Sequence, residues 1–121
     1  MSRILAFATA VGILAGATIS ADEAISIAVR PSVTNYGGSA QLKVLVARDE
    51  KNRGLSWEID GPGYYRSSAI DLEGASAPRA YTFLVRNLPG GEFEVRATVR
   101  RSDNSTVTDR SSIRVVGGPG N

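Results

Sequence analysis

The sequence predicts an all-β sandwich of about seven antiparallel strands, and three observations support this prediction. Apolar residues alternate with polar ones along most of the chain after residue 21, which is typical of strands with one buried face. Clusters of glycine, proline, asparagine and aspartate separate these runs at spacings of roughly 8–14 residues. No run shows a helical period, so we expect two packed sheets and no helical layer.

Each predicted strand is defined by the apolar side chains of its inward face. Ile25, Ile27 and Val29 mark the first strand, and Pro31 ends it. Because proline cannot donate a ladder hydrogen bond, we expect an edge or a switch between sheets at this point. The remaining inward rows lie at residues 42–46, 55–59, 70–72, 81–85, 93–99 and 113–115.

Turn residues separate the rows. We expect turns at residues 35–38, 61–63 and 102–105, and a polar loop at residues 49–54. Residues 87–95 read NLPGGEFEV, in which a proline and two glycines precede an aromatic on a new strand. Glycine tolerates the backbone angles of a sharp corner, so this stretch predicts a crossing from one sheet to the other.

The aromatic side chains are in register with the inward rows. Phe93 is expected to fill the corner from inside, and Tyr81 is expected to point inward on its strand. The residues predicted to share one buried core are Trp57, Ile59, Phe83, Phe93 and Val95.

The first 21 residues read as a secretory signal peptide. Arg3 precedes an uncharged stretch over residues 4–21, which ends in small residues before Asp22. Cleavage is expected after Ala21, with a cut after Ser20 as the alternative. A retained membrane anchor is the other interpretation, although alanine, glycine and threonine make the run weakly apolar. The predicted domain therefore covers residues 22–116, followed by a flexible tail at 117–121, and we expect it in the periplasm or secreted.

The composition excludes several kinds of site. The chain has no cysteine and no histidine. Disulfides, zinc or copper sites with imidazole or thiolate ligands, and triads based on serine or cysteine with histidine cannot be built. Without histidine or cysteine, a pair of a nucleophile and a base could be built only through Lys43 or Lys51. We therefore expect no enzyme, no catalytic residues, no metal and no cofactor.

The charge does not indicate a nucleic-acid partner. The full chain has 14 basic and 12 acidic residues, a net charge of +2. Removal of Arg3 with the signal peptide leaves 13 basic residues and a net charge of +1. Arg100 and Arg101 are the one adjacent basic pair, whereas a nucleic-acid binder should carry a basic patch on one side.

One pair of acidic residues has a spacing that could support catalysis. Glu58 and Asp60 lie two residues apart, on one side of a predicted strand. Such a pair can hydrolyse glycosides, but an open strand surface more often pairs its carboxylates across strands, here with Arg96 and Arg114.

The last predicted hairpin contains residues that could bind calcium or carry a glycan. Asp103, Ser105 and Asp109 offer oxygen ligands for calcium but lack the glycine and spaced glutamate of a calcium loop. Asn104 also begins a formal glycosylation sequon, which matters only in a eukaryotic secretory pathway.

Three residues stand out as a possible partner-binding site. Tyr64, Tyr65 and Arg66 follow the stiff turn at residues 61–63, and tyrosine and arginine are enriched at the energetic centres of interfaces. Tyr36 lies in another predicted turn. Ordinary loop packing is the competing interpretation of all three tyrosines.

Residues 55–116 resemble bacterial immunoglobulin-like modules of the PKD and fibronectin type III kind. The resemblance rests on residues 57–61 (WEIDG), the row of Tyr81 and Phe83, residues 88–95 (LPGGEFEV), and the terminal hairpin at 99–105. It implies an immunoglobulin-like sandwich and an exported, non-catalytic module. We therefore expect a monomer whose loops bind an unknown protein or glycan. The alternative is a structural subunit that adds a strand edge to a partner sheet.

Overall fold

The computed structural model describes residues 24–118 as eight strands in two sheets. A three-stranded sheet has the order β1-β3-β6, and a five-stranded sheet has the order β2-β8-β7-β4-β5. The strands are β1 (Ile25–Arg30), β2 (Val33–Asn35), β3 (Ala40–Val46), β4 (Asn52–Gly61), β5 (Tyr64–Asp71), β6 (Ala80–Val85), β7 (Gly91–Arg101) and β8 (Thr106–Val116), with a 3-10 turn at Gly74–Ser76. The predicted signal peptide and residues 119–121 of the predicted tail lie outside the described residues.

The two sheets face each other across one apolar core. β1 lies against β7 and β8, and the Phe83 ring of β6 lies 5.8 Å from the Trp57 ring of β4. The predicted core is confirmed, except that Phe83 is half-buried because its strand is the edge of its sheet. Among residues 24–118, no helix is long and apolar enough to cross a membrane.

The prediction of seven antiparallel strands needs correction, because eight strands are present and one pair is parallel. β2 pairs with β8 in parallel. It was missed because it has three residues and lacks a buried row. The predicted short strand at residues 70–72 is instead the end of β5, which begins at Tyr64 and pairs with β4 along its whole length. The polar loop is also shorter than predicted, since β4 begins at Asn52.

Both predicted crossings between sheets are confirmed. The chain leaves the three-stranded sheet through a cis Arg30–Pro31 bond and joins the five-stranded sheet as β2. It crosses again between β6 and β7, where Leu88 is fully buried. Gly91 has φ 137°, a conformation that side chains disfavour. Phe93 then enters the core at 2% exposure.

Candidate functional site

The two sheets differ in width, and from this difference we infer a groove along one side of the molecule. β6 is an edge strand of the narrow sheet and lies against β4, whereas β5 lies one strand further out in the wide sheet. The inward side of β5 therefore extends past β6 and stays uncovered. We call this feature the β5–β6 groove. It is formed by Tyr64, Arg66, Ser68 and Ile70 of β5, Tyr81 and Phe83 of β6, and Trp57 at its base.

The floor of the groove is set by the register of β5 on β4. Ser68 lies opposite Trp57 and Arg66 lies opposite Ile59, both on the inward side of the sheet. Tyr64 starts this row and packs edge-on against Phe93, with ring centroids 5.5 Å apart. The remaining floor residues are exposed. The floor therefore has a rigid aromatic end and a polar, solvent-facing middle.

The wall and base of the groove are aromatic. Trp57 is 5% exposed and contacts the half-buried Phe83. Tyr81 lies two residues before Phe83 on the same side of β6 and is also half-buried. Aromatic surfaces of this kind favour flat or apolar groups.

Two hydrogen-bond donors at the base have no acceptor among the described residues. They are Trp57 Nε1 and the Tyr81 hydroxyl, and both atoms are buried. Burial also raises the pKa of Tyr81, so its hydroxyl stays protonated at neutral pH. A buried donor without a partner costs on the order of 1–3 kcal/mol. An acceptor atom of a ligand that reached either donor would relieve this cost.

Two arginines give the groove positive charge. Arg66 lies in the middle of the floor, and Arg79 continues the inward row of β6 beyond Tyr81. Both side chains are exposed. Neither forms an ion pair with any carboxylate of residues 24–118. The groove therefore combines an apolar wall with unpaired guanidinium groups.

The structure separates the three residues that the sequence singled out. Tyr64, Tyr65 and Arg66 are the first residues of a strand and not of a turn, so successive side chains point to opposite sides. Tyr64 and Arg66 line the groove. Tyr65 lies on the opposite side of the sheet, where its hydroxyl donates to Glu58 at 2.9 Å. The three residues therefore do not form one surface. The turn itself is formed by Pro62 and Gly63, with φ 68° at the glycine.

Glu58 and Asp60 belong to an ion-pair network on the outer side of the five-stranded sheet. Arg96 lies 2.7 Å from Glu58 and 3.6 Å from Asp60. The hydrogen bond from Arg96, helped by the one from Tyr65, holds the pKa of Glu58 below its ordinary value. A carboxylate held ionised in this way is a poor general acid. The prediction that cross-strand arginines pair with these acids is confirmed for Arg96.

The second predicted partner pairs elsewhere. Arg114 lies 2.8 Å from Glu92, its direct neighbour across the strands. It was assigned to the acids of β4, but β7 lies between β4 and β8. The error came from not knowing the strand order.

The residues weighed as calcium ligands do not converge. Asp103 accepts hydrogen bonds from the Ser105 hydroxyl and backbone, which lower the pKa of Asp103. Asp109 lies on β8, where it accepts a hydrogen bond from the Ile27 amide at 3.0 Å. Among the residues that the structure describes, no three acidic side chains gather as a metal site would require. Asp109 instead satisfies a free amide on the edge of β1.

An open depression of about 520 Å³ lies next to the end of the groove, around the 3-10 turn. Its one arginine, Arg53, donates to the backbone carbonyls of Glu50 at 2.6 Å and Asn52 at 2.8 Å. Because this guanidinium already holds the loop together, we assign the depression a structural role. The groove is the stronger candidate site.

Comparisons with solved structures place the fold. The superoxide reductase (neelaredoxin) of Ignicoccus hospitalis matches with a TM-score of 0.63 and 15% identity, over 77% of this chain and 80% of that chain. Sporulation control protein Spo0M of Bacillus subtilis matches with a TM-score of 0.52 and 11% identity, over 79% of this chain and 50% of that chain.

A third match is a chain from a structure that concerns T cell specificity and activation by the bacterial superantigen toxic shock syndrome toxin-1. Its TM-score is 0.52 and its identity 14%, over 76% of this chain and 99% of that chain. The chain matches no protein-family model and no curated protein. Identities this low show a shared all-β fold. They do not confirm the resemblance to PKD and fibronectin type III modules.

The predicted function is corrected by this comparison. We expected a non-catalytic immunoglobulin-like module that binds protein or glycan through its loops, or a structural subunit that adds a strand edge. The similar structures include superoxide reductases, which are enzymes, and this finding contradicts both expectations. The all-β fold is shared with enzymes, so the fold gives no basis for a non-catalytic loop binder.

The residues of this chain do not fit the redox centre that such an activity needs. Reduction of superoxide requires a group that donates one electron, and transition metals in this role are usually held by nitrogen or sulfur ligands. The whole sequence has no histidine and no cysteine. The similarity to these enzymes is therefore a similarity of fold, and their chemistry is not attributed to this chain.

Proposed function

We propose that this protein binds a small organic anion with an apolar body in the β5–β6 groove. The observation that carries the proposal is the coincidence of an aromatic wall with guanidinium groups that lack a carboxylate partner. Phe83 and Tyr81 offer apolar surface, and Arg66 offers charge two positions along β5 from Ser68, which lies opposite Trp57. An anion on Arg66 gains a charge-assisted hydrogen bond, which is about twice as strong as a neutral one.

The two unpartnered donors add to this support. Trp57 Nε1 and the Tyr81 hydroxyl have no acceptor among the described residues, so a carboxylate or carbonyl oxygen that reached either of them would accept a hydrogen bond. Small-molecule sites generally combine a mostly apolar lining with a few placed polar groups. The ligand class proposed is therefore an aromatic or aliphatic carboxylate.

The proposal includes an immunoglobulin-like sandwich as the scaffold. The order β1-β3-β6 opposite β8-β7-β4 matches strands A-B-E opposite G-F-C of that architecture, and Trp57 lies on the strand that corresponds to C. In this scheme β5 is the extra edge strand beside C. The groove is then the open side of the sandwich, at the strand that has no partner in the other sheet.

Export is also part of the proposal. Residues 1–21 have the charge, apolar run and small-residue ending of a signal peptide, so the domain is proposed to act in the periplasm or outside the cell. The intact mass of the protein from the extracytoplasmic fraction tests this. A mass that retains residues 1–21 would overturn it.

The chain contains a built-in reporter for the ligand, because Trp57 is its one tryptophan. Titration with 4-phenylbutyrate should change the emission of Trp57, and the uncharged 4-phenylbutanol should bind at least tenfold more weakly. Arg66→Gln should weaken 4-phenylbutyrate at least tenfold. Arg100→Gln is the matched control, since Arg100 is exposed on the outer side of the five-stranded sheet. Equal binding of the acid and the alcohol, or equal loss in both variants, would rule out the groove.

A further inference from the structure

The outer side of the three-stranded sheet is a surface of a different kind. We call it the outer three-stranded face. The register places these nine side chains on it: Ser26, Ala28, Arg30, Gln41, Lys43, Leu45, Ala80, Thr82 and Leu84. None of the nine is acidic. Two are cationic, and two are leucines with 46% and 48% of their surface exposed.

The cations of this face are unpaired. Arg30 and Lys43 are exposed and form no ion pair with any carboxylate of residues 24–118. Arg86 follows β6 on the same alternation as Leu84 and is also exposed and without such a pair. Leu45 and Leu84 lie on neighbouring strands, with Lys43 between them along β3. Apolar and cationic groups therefore share one flat surface.

We propose that the outer three-stranded face docks onto an anionic phospholipid bilayer. The leucines would enter the interfacial region while the lysine and arginine stems lie flat and their charged ends meet lipid phosphates. A basic residue near an anionic bilayer contributes about 1 kcal/mol each. The face offers this attraction with no acidic residue to oppose it.

The size of the face argues against a second copy of the chain or another protein as the occupant. Three strands about 4.8 Å apart and six or seven residues long cover on the order of 300 Å². A stable protein interface needs about 800 Å² on each partner. A bilayer has no such requirement, because its attraction comes from charge and from shallow insertion of a few side chains.

The test compares the affinity of the full chain for vesicles of phosphatidylcholine alone and with about 30% phosphatidylglycerol. Arg3 and the uncharged residues 4–21 are the same in every variant, so a change in the ratio of the two affinities between variants reports the substituted residues. Loss of two basic residues at about 1 kcal/mol each should lower this ratio about 30-fold in Arg30→Gln with Lys43→Gln. Arg100→Gln with Arg110→Gln removes the same charge from the other sheet and should change the ratio less than threefold.

A second measurement asks whether the leucines enter the bilayer. Leu84→Trp should show a blue-shifted emission on anionic vesicles, and Val33→Trp should not, since Val33 is 55% exposed on the other sheet. Equal ratios for the two double variants, no preference for anionic vesicles, or a dimer that depends on Leu45 and Leu84 would each overturn the proposal. None of these results bears on the β5–β6 groove, whose ligand is measured without lipid.

Discussion

The two outward sides of this molecule are built by the same alternating pattern and differ in almost every other respect. The outer side of the five-stranded sheet, which we call the outer five-stranded face, is held by ion pairs. At its centre Arg96 contacts three carboxylates, those of Glu58, Asp60 and Glu94. On the outer three-stranded face Lys43 has no such partner, and its neighbours are leucine, alanine and threonine. Alternation decides which side chains face water, but the cross-strand neighbours decide whether those side chains are already satisfied.

The difference between the sheets extends to their inward aromatics, and this gives the largest expected effect. Phe93 is 2% exposed near the start of a central strand, whereas Phe83 is half-buried on an edge strand. Phe93→Ala should lower the free energy of unfolding by about 3–5 kcal/mol. Phe83→Ala should lower it by about 1–2 kcal/mol, since less apolar area is lost.

Urea denaturation of the two variants measures this difference. Because phenylalanine is replaced by alanine in both variants, the comparison reports how well the opposite sheet covers each strand. Equal losses would mean that β6 is covered as well as β7 is, and the groove beside Phe83 would then be absent.

The second prediction concerns the outward cations. Arg96→Met should lower the free energy of unfolding, because three carboxylates lose their common partner and then repel one another. Lys43→Met should change it by less than about 0.5 kcal/mol, since no ion pair is lost. Thermal melts at low and moderate salt would show the Arg96 effect shrinking as salt rises. A larger loss at Lys43 than at Arg96 would reverse the comparison.

The sequence predicted the central strands well because the opposite sheet covers their inward side. The rows at residues 42–46, 55–59 and 93–99 are apolar at every inward position, and the structure buries them. β5 was missed over most of its length because its inward side lacks this cover. Its inward positions include Arg66 and Ser68, which no opposing strand covers, so the apolar row is broken.

The candidate site was only partly accessible from the sequence. Arg66 was singled out, but it was grouped with Tyr65, which points to the other side of the strand. The groove depends on which strands end each sheet, and strand order is a property of long-range pairing. One signal was available: a polar inward position in a strand that begins with tyrosines indicates an uncovered edge.

The third prediction is a pH dependence on the outer five-stranded face. The pKa of Glu58 is lowered by Arg96 and Tyr65. Ionised Glu58 therefore stabilises the fold above its unfolded-state pKa, and this stabilisation is lost as the pH falls through the lower folded-state pKa. Glu58→Gln should be less stable than the wild type at pH 7, by less than Arg96→Met.

The difference between Glu58→Gln and the wild type should begin to shrink near the unfolded-state pKa and should be lost below the lowered folded-state pKa. Urea midpoints measured across this pH range provide the test. Lys43→Gln is the control on the outer three-stranded face, where no carboxylate titrates against the cation, so its small effect should stay constant with pH. A Glu58 effect that does not shrink at all as the pH falls would show that packing, and not charge, holds this residue.

The smallest expected effect is at Tyr65, whose hydroxyl donates to Glu58 at 2.9 Å in an exposed position. Tyr65→Phe removes only that hydrogen bond and should lower the free energy of unfolding by about 0.5 kcal/mol. It should also raise the pKa of Glu58, since one of the two hydrogen bonds that favour the carboxylate is lost. Tyr36→Phe is the matched control, because Tyr36 is similarly exposed and lies away from this network. Carboxyl titration by NMR is sensitive enough to separate the two variants. If Glu58 titrates identically in both, then Arg96 alone sets its ionisation, and Tyr65 contributes nothing to the ion-pair network that distinguishes this face from the other.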